Sequence, residues 1–365
     1  MLTSFAFTLS RRPLNEEQML PHYTLQFETI TPIWTGDADE KSHLRLLETG
    51  IVGSLRWWAE AIARAAGHDV EVSSISNPIE QVFGNTEGRR QFRIVIRRSE
   101  LVPNEVQVPT FLPPPDEKGR VTFRLPKLSK PTEDSVWEFG SQAQFGRFQI
   151  ELTLATPEMA ERIFALIDYA SRWGGIGARQ QSGCGLIRIV DPKPDFHSQS
   201  PEEILDAWFG GRVGSTPTHE LPTLTEFFFQ EFAVPPECPP IEDFTPQHWP
   251  FLLRQRIRRA FDGWPQQNLR HRLCGEGGSE PHGAHIFISF PFQRTIDDAG
   301  RVVRVRGWLP ARGMEGVSCP FLRDRIAAVI LRLDFQVLPN QAAEHAPAVL
   351  GGVRPHLLTS GENKA

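Results

Sequence analysis

The sequence is short of the residues that staple, anchor or uniformly charge a protein. Its 365 residues include four cysteines, at positions 184, 238, 274 and 319, with no Cys-x-x-Cys pair and no disulfide-like spacing. A reduced, cytoplasmic setting is the simplest expectation. No apolar run is long enough to span a bilayer. The opening MLTSFAFTLSRR carries its arginines after the apolar stretch, the reverse of a signal peptide, so no membrane partner is expected. A net charge of −5 argues against a protein that coats nucleic acid generally, which would be basic throughout. It leaves room for a local basic surface. Tyrosine is reduced to Tyr23 and Tyr169, so acid–base chemistry through a phenol has few candidates. Cys274, His282 and His285 lie close in sequence, but the histidines sit in a Gly-rich turn and no second cysteine is suitably spaced. Neither a metal nor a cofactor is expected.

Proline, at 31 residues, and glycine, at 29, are plentiful. The prolines suggest long ordered loops. The glycines concentrate in RWGGIGARQQSGCG, Arg172 to Gly185. Such density means that the backbone takes positive φ angles or that something comes very close to it. A phosphate-binding Walker loop needs a Lys-Ser/Thr ending, which is missing. A dinucleotide fingerprint needs a third glycine where Gln180 stands, and a strand before the loop. Here the order is reversed. Pro157–Trp173 reads as a helix capped by Thr156, with Met159, Ile163, Leu166, Ile167 and Ala170 on one face. LIRIV, Leu186 to Val190, then alternates like a strand. A plain helix C-cap accounts for Gly174 or Gly175, but not for Gly177, Gly183 and Gly185 as well. A loop lying against a phosphate chain or a partner subunit accounts for all of them. Its N–H groups would form an anion nest, and Arg179 would add a fixed cation.

The first half reads as strand His22–Ile33, helix Leu55 to about Ala66 capped by Ser54, strand Gln91–Arg98, strand Phe145–Ala155, the Pro157 helix and the LIRIV strand. A Pro-rich insertion at about 102–140 interrupts it. This β-α-β-β-α-β order is the ferredoxin-like arrangement. A Pro/Ser/Thr/Gly-rich stretch, 199–222, reads as a linker. After it the order repeats in degenerate form, with TEFFFQEFAV, a helix from Trp249 to Phe261, AHIFISFPF, RVVRVRGWL, a helix from Phe321 to Leu333, and LDFQVL. The fold class expected is therefore α+β, with tandem ferredoxin-like, RRM-like domains at 1–198 and 223–365. The tail after Pro339 reads as weakly structured.

Four stretches in that order carry a resemblance: TPIWTGD (Thr31 to Asp37), IVGSLRWWAE (Ile51 to Glu60), VFG (Val82 to Gly84) and the G-G-x-G-x-R-x-x-x-G-x-G loop from Gly174 to Gly185. Together they resemble the RAMP superfamily of CRISPR proteins, and within it the first-numbered RAMP subunits of type III-B (Cmr) effector complexes. The match is strong over the first half and architectural over the second. The resemblance implies a non-catalytic subunit that holds the 3′ region of a guide RNA and contacts single-stranded target RNA. Its other implied partners are further RAMP subunits of the Cmr complex.

The resemblance turns the loops around the first helix and the glycines toward RNA. The residues concerned are Gly174, Gly175, Gly177, Arg179, Gln180, Gln181, Gly183 and Gly185, together with Ser54. Arg56 has two readings, a phosphate ligand in the first turn of its helix or the middle of an i, i+4 ladder Arg56–Glu60–Arg64. Trp57 either stacks on a base or packs against the Pro-rich insertion. Lys41, His43 and Arg45 alternate, so an extended loop would place them on one side; a solvated loop balanced by Asp37, Asp39 and Glu40 is the plainer reading. Arg254 and Arg258 share a helix face in the most basic region, near Arg256, Arg259, Arg270 and Arg272. They suit an RNA or subunit surface, or an ordinary solvated face. Two other functions remain open at this level. One is a metal-independent endoribonuclease using His43 with Lys41, and the other is a purely structural capping subunit.

Overall fold

The computed structural model describes residues 20–35, 46–68, 70, 77–86, 88–103, 106–108, 137–139, 144–178, 180–191, 200–209, 227–235, 249–261, 267–275, 284–294, 300–308, 319–333, 335–338 and 356–357. The first sheet follows from alternation. Strand β1 (His22–Thr29) buries Leu25, Phe27 and Thr29. Helices α1 (Glu48–Ala65) and α2 (Pro78–Phe83) follow. Strand β2 (Phe92–Pro103) leads to two short strands, β3 (Val106–Val108) and β4 (Trp137–Phe139), paired antiparallel at the base of the Pro-rich insertion. Strand β5 (Gln144–Leu154) buries Phe148, Ile150, Leu152 and Leu154. Helix α3 (Pro157–Trp173) and strand β6 (Ile187–Asp191) complete the unit. The strands lie in the order β2-β5-β1-β6, all antiparallel. Only alternate side chains meet the helices, so the other face of this sheet is left uncovered by α1 and α3.

α3 has the bounds its sequence implies. The Thr156 hydroxyl accepts a 3.1 Å hydrogen bond from the Met159 N–H, and Pro157 fills the first position. α1 does not. It begins at Glu48, and its N-cap Leu47 makes no side-chain capping bond. Instead the Thr35 hydroxyl accepts from the Leu47 N–H at 2.9 Å. Ser54, expected as the cap, lies inside the helix. The expected linker also starts differently: helix α4 (Pro201–Phe209) buries Ile204, Leu205 and Phe209 in the first core.

The second half contains β7 (Phe227–Ala233), α5 (Trp249–Ala260), α6 (Gln267–Cys274), β8 (Ile286–Ile288), β9 (Val302–Trp308), α7 (Cys319–Leu331) and β10 (Gln336–Val337). Its sheet runs β10-β7-β9-β8, the same path as the first sheet. Leu253, Ile257 and Phe261 point inward as their spacing requires. The region after Pro339 contributes β11 (His356–Leu357), which pairs parallel with β7 at Phe228 and Phe229. That revises the expectation of a weakly structured tail at these two residues. β7 joins the halves. Phe227 and Phe229 enter the first core, and Phe228 and Phe232 enter the second. One strand thus supplies side chains to two cores by the period-2 rule.

Candidate nucleic-acid interface

The glycine loop is clasped by its own chain. Gly174, Gly175, Gly183 and Gly185 are buried. A Cβ on Gly174 would stand 2.0 Å from the Trp58 ring, so only glycine lets the indole lie there. Trp58 Nε1 donates to the Gly175 carbonyl at 3.1 Å. Gly177 has φ +96, and a Cβ would meet the Trp34 carbonyl at 2.4 Å. Its N–H donates to Ser54 Oγ at 2.8 Å, while Ser54 donates to the Gly50 carbonyl at 2.9 Å. Gly183 accepts at its carbonyl from the Phe290 N–H, and the Gly185 N–H donates to the Pro32 carbonyl. Gln180, in a single 3-10 turn at Gln180–Ser182, accepts from Arg306 at 2.8 Å and donates to the Gly177 carbonyl at 3.0 Å. Gln181 is half-buried beside it. The close approach that the glycines signal is therefore made by α1, by β1's continuation and by the second half. Gly174, Gly175, Gly183, Gly185 and Gln180, assigned from sequence to a loop that meets RNA or a partner subunit, thus make these contacts within the chain. Arg179, Lys41, His43 and Arg45 lie outside the described residues.

The second sheet presents charge to this seam. Glu231, 7% exposed, sits between Arg294 at 2.6 Å and Arg304 at 2.8 Å. Arg304 also lies over the rings of Phe229 and Phe292. Arg306 is buried, and desolvation, then the neighbouring Arg304 charge, hold its guanidinium well below the ordinary arginine range.

Several other residues assigned to RNA from sequence also make contacts within the chain. Because α1 starts early, Arg56 is not in its first turn. It bonds Glu60 at 2.9 Å and the Gly84 carbonyl at 3.1 Å, and Arg64 bonds the same Glu60 at 3.4 Å. The ladder reading holds, and Gly84 extends it. Trp57 packs on Trp58 and on Trp308 of the second sheet, with centroids 5.0 and 5.3 Å away. Arg254 donates to the Ile286 carbonyl at 3.3 Å, and burial lowers its pKa; it is bound beneath β8. Arg258 is half-buried. His285 stacks over Trp308, and among the described residues no cluster of three metal-ligating side chains occurs.

Among the described residues, a group of exposed cations lies elsewhere, on the face of the first sheet away from α1 and α3. There Arg93, Arg97, Arg98, Arg147 and Arg188 stand with Glu28, Glu100 and Glu151. Arg188 meets Glu28 at 2.6 Å, Arg147 meets it at 3.5 Å, Arg98 meets Glu100 at 2.8 Å, and Arg97 pairs with Glu151. Such exposed pairs are each worth about 0–1 kcal/mol, so an arginine can exchange its carboxylate for a phosphate at small cost. Sequence reasoning missed this surface, although outward arginines on alternating strands (RIVIRR, GRFQIEL, LIRIV) carried its signal.

Residues 26–188 match the family model of the RAMP superfamily. This span, a little under half of the chain, contains all four motif stretches. Among solved structures the chain is similar to Cmr1 from Pyrococcus furiosus in its apo form, with 16% identity and a TM-score of 0.44, over 87% of this chain and 98% of that one. It is similar to a chain of the type III-B Cmr-beta complex bound to cognate target RNA and AMPPnP in the presence of ssDNA, with 10% identity and a TM-score of 0.49, over 87% and 100% of the two chains. Cmr6 from Pyrococcus furiosus matches at 14% identity and a TM-score of 0.29, over 47% of this chain and 98% of that one. No curated protein sequence matches. Among the described residues no helix is long and apolar enough to cross a membrane.

Proposed function

We propose that this chain is a non-catalytic, RNA-binding subunit of a type III-B CRISPR (Cmr) effector complex. It would contact the 3′ region of the guide RNA and the target RNA beside other RAMP subunits, in cytoplasmic antiviral defence. The observation that carries this reading is the RAMP match over residues 26–188, which contains TPIWTGD, IVGSLRWWAE, VFG and the glycine loop. The shared strand path of the two sheets supports tandem ferredoxin-like units at 1–198 and 223–365. The arginine-bearing open face of the first sheet supplies an electrostatic surface on a chain whose net charge is −5.

The test is a tagged pull-down from the native host, with sequencing of retained RNA and mass spectrometry of retained proteins. Short repeat-tagged guides arriving with other RAMP subunits are the expected result. A protein recovered alone and RNA-free would sink the proposal. Incubating the purified chain with RNA in metal-free buffer should leave the RNA length unchanged; cleavage would favour the nuclease reading instead.

A further inference from the structure

A cleft of about 420 Å³ opens where the uncovered face of the first sheet meets the second half. Its volume is in the range that holds one small ligand. The end of β1, the first residues of β5 and β6 form one wall; the chain at Phe290–Gln293 and Arg301 forms the other. Phe145 lines it and is 42% exposed, an uncommon state for a phenylalanine on a strand whose other aromatic, Phe148, is stacked inside on Phe27. Pro291 faces the same space. Among the described residues two cations border it. Arg188 is 40% exposed, and among the described residues the exposed Arg301 side chain makes no ion pair. Among the described lining residues the one carboxylate, Glu28, is already held by Arg188 and Arg147.

The geometry points to this cleft as a site for one nucleotide of single-stranded RNA, its base stacked on Phe145 and its phosphate held by Arg301 and Arg188. The inference rests on the RNA-binding reading and names where on the chain a nucleotide is held. An exposed ring beside cations, with its carboxylate neutralised, matches a base and a phosphate together. A basic peptide would need a free carboxylate, and an acidic one would not need the ring. The arginine face described above leads to the cleft through Arg147 and Arg188, so a strand tracking that face would deliver a nucleotide there.

The experiment uses the full chain and a fluorescein-labelled single-stranded RNA, with affinity measured by anisotropy over a salt series. Photo-crosslinking with 4-thiouridine RNA and peptide mapping accompanies it. Phe145→Ala should weaken binding at least about five-fold with an unchanged salt slope, and Phe145→Tyr should restore it. Arg301→Ala should flatten the log–log salt slope by about 0.7. The crosslink should map to the peptide containing Phe145. All these side chains are exposed, so melting temperatures should match the parent. If the parent binds RNA but both alanine variants bind equally well and the crosslink maps elsewhere, the cleft assignment is overturned and the RNA-binding reading stands. If the parent binds no RNA, both are overturned. A protein crosslink at Phe145 in the assembled complex, with no RNA crosslink there, would make the cleft a subunit contact and overturn the nucleotide assignment.

Discussion

At the scale of single residues, the seam between the halves concentrates the costliest contacts. Glu231 is enclosed with Arg294 and Arg304, and removing one partner of a buried ion group costs about 3–5 kcal/mol. Glu231→Gln should therefore lower the melting temperature by roughly 4–7 °C, and added salt should not restore it, because enclosed pairs are little screened. Gly177 poses a backbone problem instead. Its φ is +96, and a Cβ there would stand 2.4 Å from the Trp34 carbonyl, so Gly177→Ala forces strain of about 1–3 kcal/mol. A urea titration should show a lower midpoint at an unchanged slope.

At the scale of elements, the open face of β2, β5 and β6 is set apart from the helices that stabilise the sheet. Replacing Arg93, Arg97 and Arg98 together by alanine should weaken RNA binding and reduce the salt slope by about 0.7 for each phosphate no longer neutralised. Thermal stability should barely move, because these ion pairs are exposed. How well each element could be read from sequence depended on how local its determinants are. α3 was legible to the residue because cap, proline and apolar stripe are contiguous. The start of α1 was not, since the hydroxyl that receives the Leu47 N–H belongs to Thr35, across a long connection. The short helices α2 and α6 went unread, although Asn77 caps α2 by accepting from Ile79. The glycine loop announced a close approach but not by what, since Trp58 is 117 residues from its hydrogen-bond partner Gly175.

At the scale of the whole molecule, the two sheets share a path but not independence. Trp58 meets Phe227, and Trp173 meets Phe229, with centroids 5.7 and 4.9 Å apart. A truncation to residues 1–222 strips Phe227 from Trp58 and Phe229 from Trp173. It should elute as aggregate on size-exclusion chromatography and bind a hydrophobic dye, whereas the full chain should unfold in one cooperative thermal transition.

The pairing of β11 with β7 has a consequence for synthesis on the ribosome. The first sheet has all its strands once Asp191 has emerged, but its core waits for Phe227 and Phe229. The second sheet waits longer, because Phe228 and Phe229 face His356 and Leu357 across a parallel ladder. During that interval the nascent chain shows an aromatic face that its own later segments will cover. Its vulnerability to misassociation therefore falls in time between the emergence of β6 and that of β11. Slowing translation there would lengthen the exposure, and a chaperone that binds aromatic surfaces would act in that same window.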